Sequence, residues 1–329
     1  AVTDKSEAII KNEVTGETRS ELTEPIANYN VFVIDQEFNK NSSVTFVNTN
    51  VARGSNYRTA NASAFLFNLA NKANSKNVEG YVKWNNIKDP VEGRITGYST
   101  GLSYDKTKGN LRFGFRHRLA NETYDINDLG FQQRNNYNSF FGDISYQIFK
   151  PTKTFYSYRV RLNAGMFRRF NPSIYSGNFI NLNLFATTLS QFSFGGSINT
   201  RIGEQKDFWE PRNDVDYFVA NPRLNFSAFV SSDFRKKFAY NANIGRSKKY
   251  NEDENGYSFG ITPIYRVSDK LFLSYSFDYN LIKSERGYVT TLDDDSIIFG
   301  VRDNKSVVNS LSGKYSFNDL ASLSVVFRY

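Results

Sequence analysis

Residues 271–281 read Leu-Phe-Leu-Ser-Tyr-Ser-Phe-Asp-Tyr-Asn-Leu. On an extended chain Leu271, Leu273, Tyr275, Phe277, Tyr279 and Leu281 share one face, and Phe272, Ser274, Ser276, Asp278 and Asn280 share the other. Successive strand side chains point to opposite sides of a sheet, so this segment needs one apolar and one wet environment. The pattern recurs. Leu111, Phe113 and Phe115 alternate with Arg112, Gly114 and Arg116. Tyr158, Val160 and Leu162 alternate with Arg159, Arg161 and Asn163, and Leu323, Val325 and Phe327 alternate with Ser322, Ser324 and Arg328. Segments of about ten residues, apolar on one side and polar on the other, are the pattern of a transmembrane β-barrel.

Composition agrees. Among 329 residues there are 30 Phe and 21 Tyr against a single Met and a single His, a skew that suits an outer apolar band with aromatic girdles. The mean hydropathy of −0.52 does not argue against a membrane, because lumen and loop residues average away the lipid-facing ones. No run approaches the roughly 18 apolar residues of a membrane helix. Gly, Asn, Ser and Thr interrupt every stretch before a helical period can build. Cysteine is absent, which removes disulfide, zinc-thiolate and Cys-nucleophile chemistry and agrees with a compartment outside the cytoplasm. The chain opens Ala-Val-Thr-Asp, so any signal peptide is expected to be removed or to lie upstream.

The reading is therefore all-β: one antiparallel transmembrane β-barrel domain over residues 1–329, with about 16–18 strands visible. Its first two strands are expected over 3–12 and 22–36. Short connections alternate with long ones at 121–136, 204–221 and 284–295, as short periplasmic turns alternate with outer loops. A count of about seventeen leaves the first and last strands running the same way, whereas bacterial barrels have an even number. The odd count means either a strand too many by one or a portion of a larger barrel, and the second is the preferred expectation. Pro263 should mark a bulge or a frayed pairing, since proline removes a ladder hydrogen bond.

Several short motifs carry a resemblance: Asn127-Asp128-Leu129-Gly130-Phe131 with Arg134-Asn135-Asn136, Asp207-Phe208-Trp209-Glu210-Pro211-Arg212, Asn41-Ser42-Ser43-Val44, and Val301-Arg302-Asp303 with Tyr315-Ser316-Phe317-Asn318. They resemble a bacteroidete-type outer-membrane barrel family of unknown function, in which the barrel commonly follows a carbohydrate-binding module similar to family 9. The resemblance implies a gram-negative outer-membrane location, a link to glycan handling, and further strands on both sides of the matching region. It supplies no catalytic residues, and the sugar-binding module lies outside this sequence.

Candidate site residues divide by face. Arg112, Arg116, Arg118, Arg159, Arg161, Arg201, Arg223 and Lys314 sit on polar faces and are expected to line a lumen. An arginine-rich lumen favours anionic solutes, whereas the same groups facing lipid would each cost about 2–4 kcal/mol. The bland account is that any wide barrel needs polar groups inside, balanced by Asp143, Asp278 and the loops. Charges spread around an interior form no patch for nucleic acid. Trp209, Tyr217 and Phe218 could stack on a sugar ring or simply fold their loop over the rim. His117, the only histidine, lies with the aromatic face as an interfacial residue instead of a catalytic base. The acidic runs 252–254 and 293–295 read as solvated loop tips. Asp125–Gly130 opens like a calcium loop, but its twelfth position is Asn136, which lacks the bidentate carboxylate. No cofactor, metal or enzyme activity is expected. The functional expectation is a channel or membrane platform in glycan or nutrient handling, with outer-membrane lipid, other envelope proteins, glycans or anionic solutes as partners. Its alternatives are a structural subunit of a larger outer-membrane complex, and the barrel portion of a protein known for a carbohydrate module.

Overall fold

In the computed structural model every residue except Ser55 and 213–215 is described, and among these there is no helix. The chain divides into two compact units, residues 1–109, 114–141 and 167–174 in the first, and 110–113, 142–166 and 175–329 in the second.

The first unit begins with β1 (Val2–Thr3), β2 (Ser6–Lys11) and β3 (Thr18–Glu24). β2 and β3 form a separate two-stranded hairpin closed by a turn at Gly16, whose φ of 75° suits a residue without Cβ. The segment expected to span as residues 3–12 thus stays out of the main sheet. Its side chains are exposed on both faces, so it has no apolar side to bury. The next expected strand, 22–36, is split as well. Pro25 separates β3 from β4 (Ala27–Phe38), because a proline cannot donate to a ladder. β5 (Ser42–Arg53), β6 (Thr59–Ala70), β7 (Lys76–Asp89) and β8 (Gly93–Lys106) follow, each antiparallel to the strand before it from β4 onward. The register puts Phe65 opposite Val82 and Trp84 opposite Tyr98 on one face, and Leu66 opposite Tyr81 and Tyr81 opposite Gly101 on the other.

β9 (Leu111–Ala120), β10 (Tyr137–Gln147) and β11 (Phe155–Arg169) contribute residues to both units. The second unit continues through β12 (Tyr175–Thr188), β13 (Ser193–Arg201), the short pair β14 (Gln205–Asp207) and β15 (Phe218–Ala220), then β16 (Arg223–Ser231), β17 (Phe238–Lys249), β18 (Asn255–Arg266), β19 (Leu271–Thr291), β20 (Ile297–Ser316) and β21 (Ser322–Arg328). β12, β13 and β16 to β21 pair in succession, all antiparallel, while β14 and β15 form a two-stranded sheet of their own. Alternation is strict across these ladders: Leu182, Ile198, Phe226 and Arg246 stand in register on one face, Asn183, Ser197, Ser227 and Gly245 on the other.

Two expectations change here, and a third is met in one of its two forms. The stretch 284–295 is largely strand. β19 and β20 run on as a hairpin past a bulge between Ile282 and Glu285, where Ser284 takes a φ of 55°. Of the two outcomes expected at Pro263 the frayed pairing is the one found: Pro263 stands opposite Tyr240 on β17, while the ladder to β19 lapses at Thr262 and Pro263 and resumes in the same register without a bulge. Finally, seventeen strands share one sheet among the described residues. β21 pairs with β20, and its apolar side chains are bare on both faces, with Val325 61% and Val326 65% exposed. β4 pairs with β5 and, over two residues, with β1, leaving Phe32 and Val33 more than half exposed. With the two-residue β1 set aside, the long strands of the sheet are even in number, so the odd count came from the 3–12 segment.

Candidate functional site

The polar face of β7 and β8 is built in two halves. Over the upper half lies the long connection 121–136. Gly97 makes room for it, since a Cβ there would sit 2.3 Å from the Tyr124 backbone. Asn85 holds it from the sheet: its Oδ1 accepts from the Asp125 amide at 3.1 Å and its Nδ2 donates to the Thr123 carbonyl at 3.4 Å. Tyr124 is only 4% exposed, and burial pushes its phenol well above the ordinary value, so it stays neutral.

Charge fixes the tip of this connection. Arg53 Nη1 donates to Asp128 at 2.8 Å and Arg58 Nε donates to the other Asp128 oxygen at 3.0 Å. Arg58 Nη2 reaches Asp125 at 2.6 Å, and Asp89 lies 3.6 Å from Arg58 Nη1. Burial works against the Arg58 charge, yet Asp128 and Asp125 outweigh it and raise its pKa. The resemblance motif has a structural job here. Asn127 accepts from the Gln132 amide, Gln132 donates to the Tyr124 and Arg134 carbonyls, and Asn135 donates to the Glu122 and Tyr124 carbonyls. Both acids of the calcium-like stretch are engaged by guanidinium groups, and no metal-binding cluster of three His, Cys, Asp or Glu occurs among the described residues.

Below this, the polar face of β5 to β9 opens into a groove of about 340 Å³. Thr45, Asn68, Glu79, Tyr81, Arg116 and Arg118 line it. Tyr81 lies across Gly101, where a Cβ would come within 2.3 Å of the ring, and Lys83 Nζ stands 4.5 Å from the Tyr81 centroid.

The other basic candidates are scattered. Arg161 pairs with Asp143 at 3.2 Å, and Arg112 packs over the Phe149 ring at 4.7 Å. Arg201 and Arg223 are direct cross-strand partners, an arrangement of like charges that Arg223 eases by donating to Asn225 at 2.9 Å. Arg159 is exposed on β11, and Lys314 stands opposite Phe272. The aromatic trio does not form one platform. Tyr217 packs on Phe208 and under Lys206, whereas Phe218 packs on Phe299 at 4.7 Å. Trp209 is 43% exposed. Their loop is anchored by Gln205, which accepts from the Asn178 amide in space that Gly177 leaves free, and by Glu210, which accepts from the Tyr288 amide at 2.9 Å. His117 hydrogen-bonds Asn138 at 2.7 Å and stacks on Phe140 at 4.6 Å. In the run 252–254, Glu254 is buried against Lys249, which also lies 3.8 Å from Glu252, so a lysine occupies the cation's place.

These features define a protein that, over its described residues, is helix-free and antiparallel β, its strands carrying one bare aromatic face and one polar face. The chain belongs to the family described as a domain of unknown function (DUF5916), whose profile matches residues 1–329. No curated protein matches it.

Proposed function

We propose that this chain is a non-enzymatic membrane-embedded β-barrel module of a gram-negative outer membrane, whose arginine-bearing face lines a water-filled passage for anionic solutes. One observation carries the reading: the large apolar side chains of one face have no layer over them. Phe65, Trp84, Leu102, Leu182, Ile198, Phe226, Phe259 and Tyr275 are all between 40% and 53% exposed. A sandwich would cover that face with a second sheet, whereas a bilayer supplies hydrocarbon. Strands of nine to fifteen residues, as in β13 and β11, suit an apolar band about 25 Å tall crossed at a tilt. The link to glycan or nutrient handling rests on the family resemblance.

A second reading, a platform that docks on other envelope proteins, is favoured by the apolar side chains exposed on both faces of β4 and β21, Phe32, Val33, Val325 and Val326 among them. Planar-bilayer recording separates the two. The channel reading expects ohmic current with anion preference, and a reversal potential that moves toward cation preference in R159Q/R161Q. Insertion without current would favour the platform. A protein that stays in the aqueous phase without detergent would end both.

A further inference from the structure

The groove on β5 to β9 gathers arginines that no carboxylate answers into one concave space of small-molecule size. Arg161 has Asp143, and Arg53 and Arg58 have Asp125 and Asp128. Arg116 and Arg118 have no carboxylate within ion-pair distance among the described residues, although both line the groove. They sit two residues apart on one strand face, about 7 Å along the strand, close enough for both guanidinium groups to address one ligand. Lys83, its Nζ 4.5 Å from the Tyr81 centroid, adds a third cation at the margin of the groove. Glu79, the single acid of the lining, already accepts from Asn77 at 2.6 Å. Across from the arginines, Ser43, Asn68 and Ser103 line the wall with hydroxyl and amide groups.

We infer that this groove is a binding site for a small hydroxylated organic anion, its phosphate or carboxylate held by Arg116 and Arg118. Glu79, Asn68 and the serines answer the ligand's hydroxyls, and Tyr81, laid flat over Gly101, forms the wall beside them. The volume is that of a small-molecule pocket. The site deepens the channel reading by naming a solute class, but binding here does not require conduction.

The test is titration calorimetry on the full chain in detergent, with glucose 6-phosphate, gluconate and inorganic phosphate as anionic probes and glucose as the neutral control. Expected is saturable one-to-one binding of glucose 6-phosphate or gluconate, no binding of glucose, and at least a tenfold loss in R116Q/R118Q. R159Q/R161Q, outside the groove, should bind like the parent. If the double groove variant does not fold, G101A, which displaces Tyr81, should show the weakened binding instead. Equal affinity in the parent and in either groove variant would overturn the assignment, as would the absence of saturable binding for all three anions. Binding without bilayer current would count against the passage and leave the groove standing. Current without binding would do the reverse.

Discussion

Among single residues, charge pairing decides what each polar group can do. Arg58 joins the start of β6 to two aspartates some seventy residues on, and the partly buried network should be worth more than an exposed pair and less than a fully buried one. Arg58→Ala should lower stability by about 1–3 kcal/mol in urea titrations and expose residues 121–136 to protease. Asp233 offers a cleaner readout. Hydrogen bonds from the Arg235 side chain and amide hold its carboxyl at about 2. Its contribution to stability is complete above the unfolded value of about 4 and is lost as pH falls through about 2. Carboxyl NMR should give that low midpoint in the parent and a higher one, still below the free value, in Arg235→Ala, where the residue-235 amide bond persists. None of these partnerships was legible in the sequence, because alternation tells which face a residue takes and not which distant residue it meets there.

For strands and connections, period-two patterning succeeds wherever one face is apolar. The strands from β4 to β21 that carry such a face lie close to where alternation put them. It failed at the ends of its own logic. Residues 6–24 have no apolar face, so alternation could not tell a satellite hairpin from a spanning strand. β19 continues past Ile282 with polar groups on both sides, and a hairpin in water looks like a loop to any hydrophobic pattern. The connection 121–136 was recognised as long, but its position against the sheet depends on Gly97 and Asn85, whose sequence neighbours give no hint of it. Gly97→Ala should therefore dislodge the connection without breaking β8. Hydrogen exchange should rise at Tyr124 and Asp125 and stay unchanged in the β7–β8 ladder around Val82.

For the molecule as a whole, the two tryptophans form a natural pair of probes. Trp84 and Trp209 are almost equally accessible, at 41% and 43%, yet one lies on the bare aromatic face of β7 and the other in the connection between β14 and β15. In vesicles of brominated phosphatidylcholine, fluorescence of W209F, which retains Trp84, should be strongly quenched, and that of W84F should not. Equal quenching, or none, would remove the lipid from the account of that face. The uncovered apolar face carries a further consequence for anyone handling the protein. Contiguous apolar side chains that nothing covers are an aggregation liability once water replaces hydrocarbon around them. Preparations of this chain should thus be governed less by melting than by colloidal behaviour: dilute micellar stocks should stay clear, and removal of surfactant should yield β-rich precipitate in place of refolded monomer.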